Sequence, residues 1–214
     1  MPTIAVLDYG MGNLRSVAKA LELVAKQATS SCNVLITDNA ASVANADRLV
    51  FPGQGAMSDC MRELEAKGLR SVVMQAATSK PFLGICVGLQ MLFEQSEEGS
   101  GGTPGLNLLP GRVKRFPKTL AEHGLKVPHM GWNHLQQETN HPLWQGIENF
   151  TRFYFVHSYY VIPQHASDTC GSTTYAERFT SAVAHGNIFA VQFHPEKSGL
   201  DGLRLLANFL NWKP

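Results

Sequence analysis

Charge is scarce in this chain. Only 16% of its 214 residues are Asp, Glu, Lys or Arg, against roughly 25% in an average soluble domain. Combined with 44% hydrophobic residues, that scarcity excludes a disordered chain. Neither sign is in excess, with 18 Lys+Arg against 17 Asp+Glu, so the basic stripe of a nucleic-acid binder is not expected. Long hydrophobic runs are missing too. The longest candidate, Pro81 to Phe93, has 13 residues including two glycines and a glutamine, short of the ~20 that a bilayer requires, so no membrane partner is expected. The opening residues Met1 to Asp8 lack a basic n-region and a long apolar h-region, so no signal peptide is expected. The four cysteines, at 32, 60, 86 and 170, form no CxxC pair, which excludes a zinc ribbon or a thioredoxin-like redox motif. Without a secretory leader a disulfide framework is not expected, and the chain reads as reduced and cytoplasmic. Its length fits one domain spanning residues 1–214.

What is present is alternation. Short apolar runs at Thr3–Leu7, Val34–Thr37, Arg48–Phe51 and Pro81–Ile85 read as strands buried on both faces. Between them, Leu14, Val17, Leu21 and Val24 have helical spacing, as do Met57, Cys60, Met61 and Leu64, and a third helix is predicted around Leu69–Ala77. This pattern predicts an α/β fold with an open, mainly parallel sheet flanked by helices. After a Gly-rich loop at Glu97–Gly105 the texture changes. Strands are predicted at Arg112–Phe116, Thr151–Phe155, Tyr159–Ile162, Thr173–Tyr175, Ser181–Ala184 and Ile188–Phe193, mostly joined by short turns, which indicates an antiparallel section. A last helix over Gly199–Asn211 carries Leu200, Leu203, Leu206 and Leu210 as its stripe.

Chemistry concentrates at Gly84-Ile85-Cys86-Val87-Gly88-Leu89-Gln90. A cysteine at a strand-to-helix turn is exposed on a tight bend, and the flanking glycines relieve crowding there. The helix start beyond it, continuing through Leu89, Leu92 and Phe93, favours the thiolate. A buried structural cysteine is the bland alternative. A cysteine nucleophile needs a base, and the base needs a group to orient it. His194-Pro195-Glu196 offers both, since residues i and i+2 of an extended chain point the same way and Glu196 then reaches the imidazole. Taken alone, this tripeptide describes a solvated turn equally well. Pro52-Gly53-Gln54-Gly55 leaves another strand end and presents unobstructed backbone N–H groups. The amides of Gly53, Gln54 and Val87 could then face a tetrahedral oxyanion.

Together these pieces resemble the class I, triad-type glutamine amidotransferases. In order along the chain stand Asp8-Tyr9-Gly10-Met11-Gly12-Asn13-Leu14, Pro52-Gly53-Gln54-Gly55, Gly84-Ile85-Cys86-Val87-Gly88, Pro128-His129-Met130-Gly131-Trp132-Asn133, Tyr154-Phe155-Val156-His157-Ser158-Tyr159 and His194-Pro195-Glu196-Lys197-Ser198. Within that family they are similar to the glutaminase subunits of imidazole glycerol phosphate synthases, which serve histidine biosynthesis. The resemblance implies a flavodoxin-like fold, Cys86 as nucleophile, His194 as proton shuttle and Glu196 as its orienting carboxylate. It implies that Gln90 and Val156, His157 and Ser158 line a glutamine pocket, with no cofactor and no metal. It implies a heterodimer with a (β/α)₈-barrel cyclase subunit that receives the ammonia, toward which Met130, Trp132 and Lys197 would lie. One departure stands out: the family more often has valine where this chain has Gln54.

Other readings fit less well. Gly10-Met11-Gly12 lacks the third glycine of a dinucleotide loop, Arg15 standing there. His129, His134 and His141 have no metal-binding helical spacing and read as loop and surface residues. The pyridoxal phosphate synthase glutaminase, a cysteine peptidase or deglycase of similar fold, and a non-catalytic subunit remain as alternatives. The Met-Gly-Trp-Asn and Phe-Val-His-Ser-Tyr segments argue against the first, and the intact Cys86, His194 and Glu196 set against the last.

Overall fold

Runs of aliphatic residues too short for helices settle side by side as the centre of a sheet. In the computed structural model, which describes residues 1–27 and 32–214, the order begins β1 (Thr3–Leu7), α1 (Leu14–Gln27), β2 (Asn33–Thr37), α2 (Ala40–Asn45), β3 (Arg48–Gly53), α3 (Met57–Ala66), α4 (Arg70–Ser79), β4 (Phe82–Cys86) and α5 (Val87–Gln90). It continues with β5 (Gln95–Ser96), β6 (Thr103–Pro104), β7 (Gly111–Arg115), β8 (His129–His134), β9 (Gln136–Gln137), β10 (Arg152–His157), β11 (Tyr159–Pro163), β12 (Thr169–Tyr175), β13 (Glu177–His185), β14 (Ile188–Val191) and α6 (Gly199–Asn211).

Five parallel strands in the order β2-β1-β3-β4-β14 form the centre, the strand order of flavodoxin-like sheets. Strands β4 and β14 are buried throughout, whereas the edge strand β2 is half exposed. Helix α1 packs on α6 and α2 on α4, covering a sheet whose strands have no polar face. β14 is the joint of the molecule: it pairs parallel with β4 and antiparallel with β13, so the antiparallel section β13-β11-β7 continues the same sheet. The sequence pattern had grouped Ile188–Phe193 with that section alone. Strands β8 and β10 form a separate antiparallel pair, with His129 opposite His157 and Trp132 opposite Tyr154.

Two expectations need correction, and two elements were not foreseen. The helix after Cys86 is a single turn, because the carbonyls of Met91, Leu92, Phe93 and Glu94 accept instead from the amides of Leu106, Leu108, Asn107 and Gly105, at 2.8–3.2 Å. On α6 the buried stripe is Gly202, Leu205, Leu206 and Phe209, and Leu200 is 84% exposed, so the predicted stripe is rotated by about one position. The strand β8 had no alternating signature, since its outward positions carry Met130 and Trp132. The short α2 also went unrecognised; its signal is Asn39, whose side chain accepts from the Ser42 amide at 2.9 Å as an N-cap.

Candidate active site

The carboxyl ends of β3, β4 and β14 converge on one cavity of about 380 Å³. Such strand ends of an open parallel sheet are where ligand sites collect. Cys86 ends β4 with φ 57 and ψ −114, a conformation that L-residues rarely adopt and that packing must enforce. The flanking glycines are needed for close approach. A Cβ on Gly84 would stand 2.8 Å from the Ala190 Cβ, and one on Gly88 would stand 2.0 Å from the Phe51 carbonyl oxygen.

His194 reaches the same cavity from the segment after β14. Its backbone is held by a 2.9 Å bond from its N–H to the Tyr154 carbonyl. Its Nδ1 lies 2.9 Å from Glu196 Oε1, which leaves Nε2 for Cys86. The Glu196 contact was expected from an extended chain, but Pro195–Lys197 forms a 3₁₀ turn that curls the carboxylate back beneath the ring. Burial alone would discourage charge on His194. Hydrogen bonds to the Cys86 and Glu196 side chains outweigh burial and raise it to about 10. Glu196 Oε2 is buried with no hydrogen-bond partner among the described residues, so its charge is balanced mainly through the imidazole.

Gln54, Val87, Gln90, Val156, His157 and Ser158 all line the cavity. Gly53 does not: it is wedged where a Cβ would meet the Gly88 nitrogen at 2.7 Å and the Tyr9 hydroxyl at 2.9 Å. The carbonyls around it are tied inward. The Tyr9 hydroxyl donates to the Pro52 oxygen at 2.8 Å, and the Cys60 thiol donates to the Gln54 oxygen at 3.3 Å. The His157 ring is engaged on both nitrogens, by the Tyr159 carbonyl at 2.8 Å and by His129 at 3.0 Å, so it faces the cavity mainly through its backbone. His129 is therefore a buried partner of His157 and not the loop or surface residue expected from spacing. His141 likewise is part-buried against Phe189, while His134 is exposed. Lys197 lies on the cavity rim, whereas Met130 and Trp132, 62% and 52% exposed, lie outside the cavity lining.

Three residues were missed by sequence reasoning. Glu98 lines the cavity and accepts from the Met57 amide at 2.5 Å, at the start of α3, and burial pushes its carboxyl up. Gln192 is fully buried next to Cys86. Tyr9, quoted only within a motif, lies beneath the Pro52–Gly55 segment. Only Gln192, two residues before His194, had a local signal that could have flagged it.

The chain is similar to known proteins along nearly its whole length. The family model described as glutamine amidotransferase class-I matches residues 5–212. The imidazole glycerol phosphate synthase subunit HisH of Aromatoleum aromaticum is 60% identical over 218 aligned positions, covering all of both chains. The HisH subunit of Nitrosospira multiformis is 59% identical over the same span, again covering all of both chains. Among solved structures, a glutamine amidotransferase from Thermotoga maritima superposes with a TM-score of 0.59 at 15% identity, covering 91% of this chain and 76% of that one, a likeness of fold. The chain belongs to the class I glutamine amidotransferases and, within them, to the HisH subunits of imidazole glycerol phosphate synthase.

Proposed function

We propose that this chain hydrolyses L-glutamine to glutamate and ammonia through a thioester on Cys86. The observation that carries the reading is that Cys86 and His194 line one cavity, with His194 Nδ1 held 2.9 Å from Glu196 Oε1. The sulfur attacks the side-chain amide carbon, and the C–N bond breaks as His194, protonated at neutral pH, hands its proton to the departing nitrogen. Water then adds to the thioester with His194 accepting its proton, and the C–S bond breaks to release glutamate. Backbone amides of Gln54 and Val87 would stabilise the oxyanion in both steps, with Gly53 holding the loop against Gly88. Glu98 supplies a carboxylate for the substrate's ammonium, which would offset the burial that raises it. Gln90 donates through Nε2 to the Tyr159 carbonyl and to Gln192, so it offers the ligand an acceptor oxygen.

Residues 1–214 act as one glutaminase domain in the cytoplasm, paired as a heterodimer with a separate (β/α)₈-barrel cyclase. That subunit takes up the ammonia to form imidazole glycerol phosphate and an aminoimidazole ribotide. Support comes from the HisH relatives, each named as a subunit of a synthase. Met130 and Trp132 present exposed apolar surface for the partner, and Lys197 stands where the cavity opens. The test is glutamate release by the complex with and without cyclase ligand, wild type beside Cys86→Ala. Glutamate from the wild type alone, stimulated by the ligand, supports the assignment. Release from Cys86→Ala, or none from the full complex, overturns it.

A further inference from the structure

A second side chain touches the proposed nucleophile. Gln192 lies between β14 and His194 and is completely buried. Its orientation follows from its neighbours. The Tyr159 carbonyl can only accept, so the Gln90 atom 3.1 Å from it is Nε2. That Nε2 also lies 3.0 Å from Gln192, which must therefore present its oxygen there. Gln192 Nε2 is left aimed at Cys86 Sγ, 3.8 Å away.

We propose that Gln192 is a positioning residue whose amide N–H holds the Cys86 sulfur in its thiolate form. The inference rests on the reading of Cys86 as nucleophile. A thiol accepts hydrogen bonds weakly and a thiolate strongly, so an N–H fixed beside the sulfur favours the charged form. His194 also faces the sulfur, but it must give its proton to the departing nitrogen. Gln192 has no proton to release and remains a donor when the sulfur leaves the thioester. Glu98, His157 and Lys197 line the same cavity, and two further titratable groups lie near Cys86: Tyr9, after β1, and Cys60, on α3. Burial pushes Tyr9 and Cys60 upward, Cys60 to about 11, so at neutral pH neither of these two places a charge beside the sulfur.

Two substitutions separate this role from simple space filling. Gln192→Glu keeps the shape and the acceptor for Gln90 but replaces the N–H facing sulfur with an oxygen. Gln192→Met keeps the volume and carries neither donor nor charge. Alkylation of Cys86 by iodoacetamide would be followed between about pH 6 and pH 10 by mass spectrometry of its peptide, so that the half-exposed Cys32 does not contribute. At neutral pH both variants should react about tenfold more slowly than wild type, the gap closing as pH rises. In complex with the cyclase, kcat should fall about tenfold with KM within about threefold. An alkylation profile like that of wild type in a folded variant overturns the proposal, as does a loss confined to KM. If Gln192→Glu does not fold, Gln192→Met decides. A wild-type Cys86 no more reactive than Cys32 at neutral pH would overturn the nucleophile reading itself, and this proposal with it.

Discussion

Gly88 lies so close to β3 that a Cβ on it would stand 2.0 Å from the carbonyl oxygen of Phe51. The left-handed backbone at the elbow belongs to Cys86, with φ 57, and not to either flanking glycine. The glycines thus serve packing, and the cysteine carries the strain. Gly88→Ala should destabilise the chain by about 3 kcal/mol, because the obstructing atom is backbone and cannot rotate away. Gly68→Ala, at φ 65 with nothing within 4 Å, should cost only about 1 kcal/mol. Urea unfolding of both variants checks this; equal losses would refute the packing account.

How much of this was legible in the sequence depends on distance along the chain. The strands β1, β3 and β4 are written in local apolar runs, and the elbow in glycines two residues either side of Cys86. Glu196 was expected beside His194 although a turn, not a strand, brings it there. Glu98 and Tyr9 reach the site by long-range packing, from a Gly-rich loop and from the end of β1, and no spacing marks them. The brevity of α5 was equally hidden, since the carbonyls of Met91 to Glu94 just after it find their partners more than ten residues onward. The strand β8 displays its apolar side chains outward, which inverts the pattern that strand recognition relies on.

The ion pair of His194 makes stability fall on the alkaline side. Folded, His194 holds its proton to about pH 10; unfolded, it releases it near 6.5. The stabilisation is therefore complete below about 6.5 and lost as pH rises through about 10. Glu196→Gln removes one source of the raised value. The His194 ring should then titrate at lower pH by NMR, and the alkaline loss of stability should flatten. Glutamate release should fall by about 100-fold or more. An unchanged titration would show that Glu196 does not hold the charge.

Acid acts through different histidines. Burial lowers His129 to about 4, His157 to about 3 and His141 to about 4. Each takes up a proton in the unfolded chain near 6.5 that the folded chain refuses, so stability falls as pH drops from about 6.5 toward those values. His141 also accepts from the Leu143 amide at 3.2 Å, a cap that asparagine can supply. His141→Asn should therefore keep neutral-pH stability while lowering the acid slope by about one proton. Unfolding midpoints across that range measure it, and an unchanged slope would remove His141 from the set.

Trp132 tests the proposed partner face. It shares one face of β8 with Met130, its ring is edge-on to Tyr154 at 6.2 Å, and its outer edge lies near Gly199. Its 52% exposure means that truncation removes little from the core. Trp132→Ala should leave the thermal midpoint within a few degrees of wild type, yet weaken association with the cyclase about 30-fold, the loss expected for a buried aromatic anchor. Leu23, 44% exposed on α1, provides the control: Leu23→Ala removes similar apolar exposure from an element that contributes nothing to the cavity lining. Titration of labelled cyclase with each variant distinguishes the cases. If both bind like wild type, the partner does not dock on the β8 face, and ammonia leaving the Cys86 cavity must exit on another side.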